Sequence, residues 1–390
     1  MEEKVKKGKR KLSKKAKLFL TISVVVISLL LIVFAAAQNL GNMTITQMAE
    51  NVKSYFMSLG AGDGFPYSMD ALEIRDIKIY NSNLHILTSD KTITLNQTAK
   101  EIMPQEHPYS NPAMKSKGTG FIVYDLDSDR FRVMNNTEIT HEGEAAGKIT
   151  AGAIGKSGNY ALGTYGDTVQ SLLTVYNKKN EEIFIWRFKS ERITDISLSD
   201  NGKFAAVATV DVKDGEISSK LYVFDFKSSE YVSCFDYPGT TLVKVDYVKG
   251  KNIVAIGDNL RSYIKNNTKR KDDITFGSDT LRNYCLTDKG RSALVVSRYG
   301  SDALSKLSVY SVSNSEKFTI TFDKEAKWVD CDERYTAVLF ESEVKTFNKS
   351  GKQIGSISFE GEPLRVAVDG SKTYVITTSG IQCFDTKGVD

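Results

Sequence analysis

Three histidines, His85, His107 and His141, are the only histidines in the chain, so they are its only side chains with an ordinary pKa near neutrality. None stands in H-E-x-x-H or another metal-binding spacing, and no zinc site is indicated. His85 falls within an apolar run that reads as a strand, where it is a packed or pore-lining side chain. His107 and His141 fall in loop-like segments and are expected to be solvated. A Ser-His-Asp site need not be contiguous in sequence, but no G-x-S-x-G elbow is present to seat a nucleophile.

Two other stretches resemble binding loops and fail on chemistry. Asp125-Leu126-Asp127-Ser128-Asp129 opens like a calcium loop, but Arg130 stands where the sharp turn needs Gly and Asn136 where the bidentate Glu belongs. It reads instead as a hairpin turn. The glycines of Gly60-Ala61-Gly62-Asp63-Gly64-Phe65-Pro66 lack a following G-K-[ST] and a preceding strand, so they form a flexible entry loop, not a phosphate cradle. Cys234, Cys285, Cys331 and Cys383 are scattered singly without C-x-x-C spacing. They allow up to two disulfides in three connectivities, but their place in β-like runs favours buried free thiols. Sequons at Asn42, Asn96 and Asn266 agree with exposed loops. No catalytic, cofactor-binding or metal-binding residue is nominated, and no cofactor is expected.

What any of these residues can do depends on the elements that carry them, and here the chain is explicit. Arg192 to Phe226 reads as strand, turn, strand, loop, strand: Ile196 and Leu198 alternate with polar residues, Asp200-Asn201-Gly202 supplies the turn, and Phe204 to Thr209 is an apolar run. Leu221 to Phe226 is the third strand. Asp200-Asn201-Gly202 and Lys213-Asp214-Gly215 are turn chemistry. Similar units begin near Ile77, Ala113, Ile149, Ile193, Leu242, Leu281, Trp328 and Leu364, at spacings in the mid-thirties to high forties. That period, with up to four strands per unit, is the signature of an all-β fold, a β-propeller built of WD40-like or PQQ-like repeats. Eight blades are expected, with seven the alternative because the unit at Ala113 is poorly defined. The last unit lacks an obvious fourth strand, and residues 67–75 are the candidate to supply it and close the ring.

The abundance of Tyr (18) and Phe (19) and the scarcity of Pro (6) suit such a fold. Net charge is +4, yet residues 1–17 alone hold nine basic and two acidic side chains, leaving 43 basic against 46 acidic in the rest. The body is thus near neutral, and a nucleic-acid partner is not expected. Residues 18–37 form an uncharged stretch of the length of a membrane-spanning helix, contacting membrane lipid, and the basic tail holds the N-terminus in the cytoplasm. The competing reading is a secretory signal cleaved near Ala37. Both export the body. Thr44 to Leu59 carries Ile45, Met48, Val52, Phe56 and Leu59 at helical spacing, a short amphipathic helix expected to pack on the globular domain. The resulting organisation is a cytoplasmic tail (1–17), a transmembrane helix (18–37), a juxtamembrane helix and linker (38–66) and an extracytoplasmic propeller (67–390).

The segment Gly60 to Pro66, the run IKIYNSNLHILTSDKTITLN from Ile77, SNPAMKSKGTGFIVYDLDSDRFRVMNN from Ser110 and the SLSDNGKFAAVAT blade together resemble a family of uncharacterised, membrane-anchored propeller proteins of clostridia and related bacteria. The resemblance spans essentially the whole chain and implies a fold and an envelope location. Its motifs are structural, and it supplies no functional residues. The expected function is a non-enzymatic module that binds a protein or envelope polymer through a propeller face. The alternative is an enzyme, a cofactor-dependent oxidoreductase or a lyase, working at the central channel.

Overall fold

The repeats fold as four-stranded antiparallel sheets, eight among the described residues, and in seven of them the four strands follow one another in chain order. This computed structural model describes residues 52–388 except 54, 55, 58, 70–72, 81, 103, 119, 136, 214, 299 and 301–303. The basic tail, the stretch 18–37 and most of the amphipathic segment lie outside the described residues. The blades begin with strands Ile74–Tyr80, Pro112–Lys117, Ile149–Ile154, Arg192–Leu198, Leu242–Val248, Asp279–Leu286, Trp328–Cys331 and Pro363–Asp369. The protein is an eight-bladed β-propeller, and the unit near Ala113 is a complete second blade. Its fourth strand, Ile139–Glu144, alternates between partly buried and exposed residues and carries little apolar sequence, which hides it from periodicity.

Blade 4 shows why these sequences form blades. Ala205, Ala206, Val207 and Ala208 are fully buried on both faces of the second strand, since neighbouring blades cover both sides. Asn201 accepts from the Lys203 amide and Gly202 takes φ +65°, making the expected turn. The apolar cores lie between blades. Leu173, Val175 and Phe188 of blade 3 pack on Ile193, Ile196 and Leu198 of blade 4, and Leu221, Val223 and Phe235 of blade 4 meet Val245 and Tyr247 of blade 5. Fully burying one such side chain contributes about 1.5–3 kcal/mol.

A buried serine on the third strand adds a polar stitch to this seam. Ser171, Ser219 and Ser305 accept the backbone amides of Ile193, Leu242 and Ala326 in the following blade, at 3.2, 3.0 and 2.9 Å.

The ring closes where Tyr67–Ser68 adds to the last strand, Gly380–Asp385, as the fourth strand of blade 8. Only the first two residues of the expected 67–75 stretch do this; Ile74 and Arg75 already belong to blade 1. Gly380 is required here: its φ is +140°, and a Cβ would lie 2.3 Å from the Tyr67 carbonyl oxygen.

The entry segment is not a free loop. Asn96 Nδ2 donates to the Gly60 carbonyl, the Gly62 amide to Thr98 Oγ1 (3.0 Å) and the Gly64 amide to the Thr98 carbonyl. Lys100 Nζ donates to the Leu59 carbonyl at 2.5 Å, capping the helical residues 56–57. Asn96 is buried by this contact, against the exposed loop its sequon implied. Polar contacts, including Lys53 with Glu138 at 2.9 Å, hold the described part of the amphipathic helix, while Val52, Phe56 and Leu59 stay 54, 66 and 47% exposed. Among the described residues no helix is long and apolar enough to cross a membrane.

Candidate functional site

The first strand of a propeller blade lines the central axis, and in six blades it is interrupted by a bulge after its first or second turn of pleat, at Ile74/Asp76, Ile149/Ala151, Ile193/Asp195, Leu242/Lys244, Leu281/Asn283 and Pro363/Arg365. A bulge re-aims the following side chain, and here several of those side chains are polar. They bond to the next blade: Asp195 Oδ2 accepts the Val245 amide at 2.8 Å and Asn283 Oδ1 the Val329 amide at 3.1 Å. Two residues further on the pattern repeats, with Ser197 accepting from the Tyr247 amide and Asp330 from the Val368 amide.

Blade 2 reaches further. Lys117 Nζ, on a side chain only 4% exposed, meets Asp246 Oδ1 of blade 5 at 2.7 Å and the Tyr247 carbonyl at 2.6 Å. Lys115 pairs with Asp195 of blade 4, passing blade 3, whose strand offers only Ala151, Gly152 and Ala153 there. Lys244 lies 3.8 Å from Asp195 and 3.9 Å from Asp246, and Ser197 Oγ donates to Asp246 at 2.6 Å. Burial works to raise the Asp246 carboxyl, but Lys117 and Lys244 outweigh it and hold it well below the carboxylate range. Burial pushes the Lys115 amine down to about 8 against the pull of Asp195, with Lys244 adding to the push.

Convergent lysines and carboxylates at a channel are what an enzyme would need, but the Asp195 and Asp246 carboxylates are already partnered by lysines of the cluster. Asp195 takes Lys115, Lys244 and a backbone amide; Asp246 takes Lys117, Lys244 and Ser197. Among the described residues no group of three His, Cys, Asp or Glu is placed to hold a metal ion. The arrangement ties blades 2, 4 and 5 together.

The residues singled out in sequence lie elsewhere. His85 is 4% exposed, bonded through Nδ1 to Thr94 Oγ1 at 3.1 Å and set against Phe121, and burial lowers its pKa to about 4. It is packed, not pore-lining. His107, expected in solvent, is 6% exposed and stacks on Tyr109 at 4.9 Å. Burial, then Arg132, lowers its pKa. His141 is in a strand, near the rings of Phe131 and Tyr160. Asp125 ends one strand and Arg130 begins the next, so the calcium-like stretch is the expected hairpin; the buried Asp125 carboxylate accepts the Asn111 amide and Arg130 Nη2. The four cysteines are free thiols, with Cys331 buried and the others partly so, and Cys285 Sγ donates to the Cys331 carbonyl at 3.3 Å.

The feature sequence reasoning passed over is the second hairpin of blade 4. Strands Phe204–Lys213 and Glu216–Asp225 pair through Val212↔Ile217 and Lys213↔Glu216, beyond the last rungs of the first strand at Val210 and of the fourth at Ser218. At its tip Val212 is 64% and Ile217 48% exposed. Leu304 in the corresponding connection of blade 6 is 52% exposed, and Val243, near the start of the first strand of blade 5, 39%. Connections between second and third strands share one face of a propeller, so these residues mark one end of the ring. The entry segment docks on a connection between third and fourth strands and thus marks the opposite end.

Residues 68–383 match a family of unknown function, DUF5711. The chain belongs to that family. Among curated proteins none matches the sequence significantly. Solved structures show the same fold. Sqt1 of Saccharomyces cerevisiae is 10% identical with a TM-score of 0.58, over 82% of this chain and 97% of that one. Chaetomium thermophilum Sqt1, solved bound to the N-terminus of the ribosomal protein L10, is 13% identical with a TM-score of 0.54, over 78 and 94%. BamB of Moraxella catarrhalis is 11% identical with a TM-score of 0.50, over 79 and 95%. At these identities the likeness is one of fold.

Proposed function

We propose that this DUF5711 protein is a non-enzymatic binding module, tethered outside the cell membrane by residues 18–37, that holds a protein partner on the propeller face bearing the blade 4 hairpin. The carrying observation is that hairpin's tip, where Val212 and Ile217 stand exposed beyond both neighbouring strands. Apolar side chains held on a paired hairpin lose less entropy on docking than those on an unpaired loop, which favours their use as anchors. The described entry segment docks at the opposite face. Chaetomium Sqt1, with its bound L10 terminus, is an instance of a propeller of this shape holding a polypeptide.

The test is a photo-crosslinking residue placed at Ile217 in the full chain in its native envelope, with one at Lys178, in a third-to-fourth-strand connection, as control. A discrete protein adduct from position 217, absent from position 178 and lost in Val212→Glu, is expected. Equal labelling from both positions, or none from 217, overturns the reading. The enzymatic alternative is opposed by the pairing of Asp195 and Asp246 with lysines.

A further inference from the structure

Between the outer parts of blades 5 and 6 lies an open cavity of about 610 Å³, walled by Tyr263, Lys265, Thr268, Lys269 and Arg270 of blade 5 and Ser313 of blade 6. Its blade 5 wall is the run Lys265-Asn266-Asn267-Thr268-Lys269-Arg270-Lys271, four cations in seven residues without an acid, in a body that is otherwise close to neutral. Asn266 and Asn267 both take left-handed backbone, at φ 52° and 55°, and the Thr268 amide returns to the Lys265 carbonyl at 3.0 Å. The run therefore coils back, and Lys265 comes to flank the same hollow as Lys269 and Arg270.

The four cations are not equivalent. Lys271 is committed, to Asp273 at 2.9 Å and over the Tyr237 ring at 3.8 Å. Lys265, Lys269 and Arg270 are exposed and have no acidic partner among the described residues. Near them sits a further cation, Arg261, with no ion pair to a carboxylate, on which Asp272 acts only through space. Arg261 is fully buried, and its partners are all neutral: Ser292 Oγ at 2.8 Å, the carbonyls of Gly290, Ser311 and Val312, and Asn314 Oδ1. Burial lowers its pKa only to about 10, so it is charged at neutral pH. Asn314 Nδ2 also donates to the Asp272 carbonyl at 2.6 Å, so one side chain fixes both walls to the buried guanidinium. The only acid on the walls is Asp272 itself.

A buried guanidinium whose hydrogen-bond partners are all neutral, with Asp272 the one acid acting on it, lies near three surface cations that have no acidic partner among the described residues; this excess of positive charge in a concave site creates a potential that an anion relieves. Lysine and arginine together suit a compact anion with several strong acceptor oxygens, and the hollow is of the size of small-ligand pockets, larger than a bare oxyanion. We propose that this groove binds a phosphate group borne on a small polar substituent, of the glycerophosphate type. It does so independently of the hairpin face, at the opposite end of the ring.

The experiment uses full-length protein in nonionic micelles. It is titrated calorimetrically with glycerol 3-phosphate and, separately, with micelles doped with phosphatidylglycerol. Saturable binding is expected, weakened at least tenfold by Lys265→Gln/Lys269→Gln/Arg270→Gln with the melting temperature unchanged. The control Lys178→Gln/Lys179→Gln/Lys227→Gln removes three charges from third-to-fourth-strand connections of blades 3 and 4 and should stay within twofold. Binding of the soluble phosphate supports the site with a free phosphorylated solute as ligand; binding of doped micelles alone supports it with a lipid headgroup as ligand. Binding in neither arm, or an equal loss in the control, overturns the proposal.

Discussion

Lys117 of blade 2 and Asp246 of blade 5, 129 residues apart in sequence, meet at 2.7 Å with the lysine side chain only 4% exposed. A buried ion pair of this kind is costly to break from one side, because the remaining charge keeps its desolvation cost and loses its compensation. Lys117→Met should therefore lower unfolding free energy by about 3–5 kcal/mol, and adding Asp246→Asn should recover much of that loss. Chemical denaturation of the single and double variants decides it; a double variant no better than Lys117→Met would mean that packing, not charge, is what Lys117 supplies.

Closure of the ring rests on a glycine. Because the Gly380 backbone sits at φ +140° and a Cβ would meet the Tyr67 carbonyl at 2.3 Å, Gly380→Ala should detach the closing strand. We expect a loss of about 2–4 kcal/mol and faster proteolysis near residue 67. An unchanged cleavage pattern would show that the seam tolerates the methyl group.

Two buried groups give opposite pH dependence. Burial raises the Asp330 carboxyl to about 6, so its favourable contribution is present below pH 4 and is lost as pH rises through 6. Asp330→Asn should leave stability at pH 4 unchanged and raise it at pH 8 by about 2 kcal/mol, allowing for the part of the carboxyl that water reaches. His85, lowered to about 4, works the other way: its contribution is full above pH 6.5 and is lost as pH falls through 4. Urea titrations at pH 4, 6 and 8 read both, and an Asp330→Asn effect independent of pH would contradict the assignment.

Lys100 caps the helical residues at 56–57 and stitches the entry segment to blade 1. Lys100→Met should change global stability by less than about 1 kcal/mol, since the contact is at the surface, while exposing residues 52–62 to protease severalfold faster. Limited proteolysis followed by mass spectrometry distinguishes this local release from general unfolding.

The blades were legible in sequence wherever a strand is buried on both faces. Leu84 to Leu87 and Phe204 to Thr209 are apolar runs because neighbouring sheets cover them. Strands with one face in water, such as Gln105–Glu106, Ile139–Glu144 and Lys271–Thr275, carry charge and lose the signal. The seam serines are accessible as a recurring Ser-x-Leu at 171–173, 219–221 and 305–307, each on a third strand. The channel cluster was not: nothing local marks Lys117 as the partner of Asp246, and only ring closure brings them together. His107 is buried against expectation because its loop position conceals a stacking partner two residues on, Tyr109.

Pairing the first strand of the propeller with the last has a consequence for biosynthesis. Tyr67 and Ser68 emerge from the ribosome early, yet their partners, Gly380 and Ile381, are the last strand to be made. More than three hundred residues must be synthesised while the edge of the growing ring stays unpaired, an aggregation hazard of long-range β pairing. Blades 1 to 7 can assemble as they appear, but the molecule becomes a ring only in its final step, so a truncated nascent chain is left as an open arc of blades with both edges exposed.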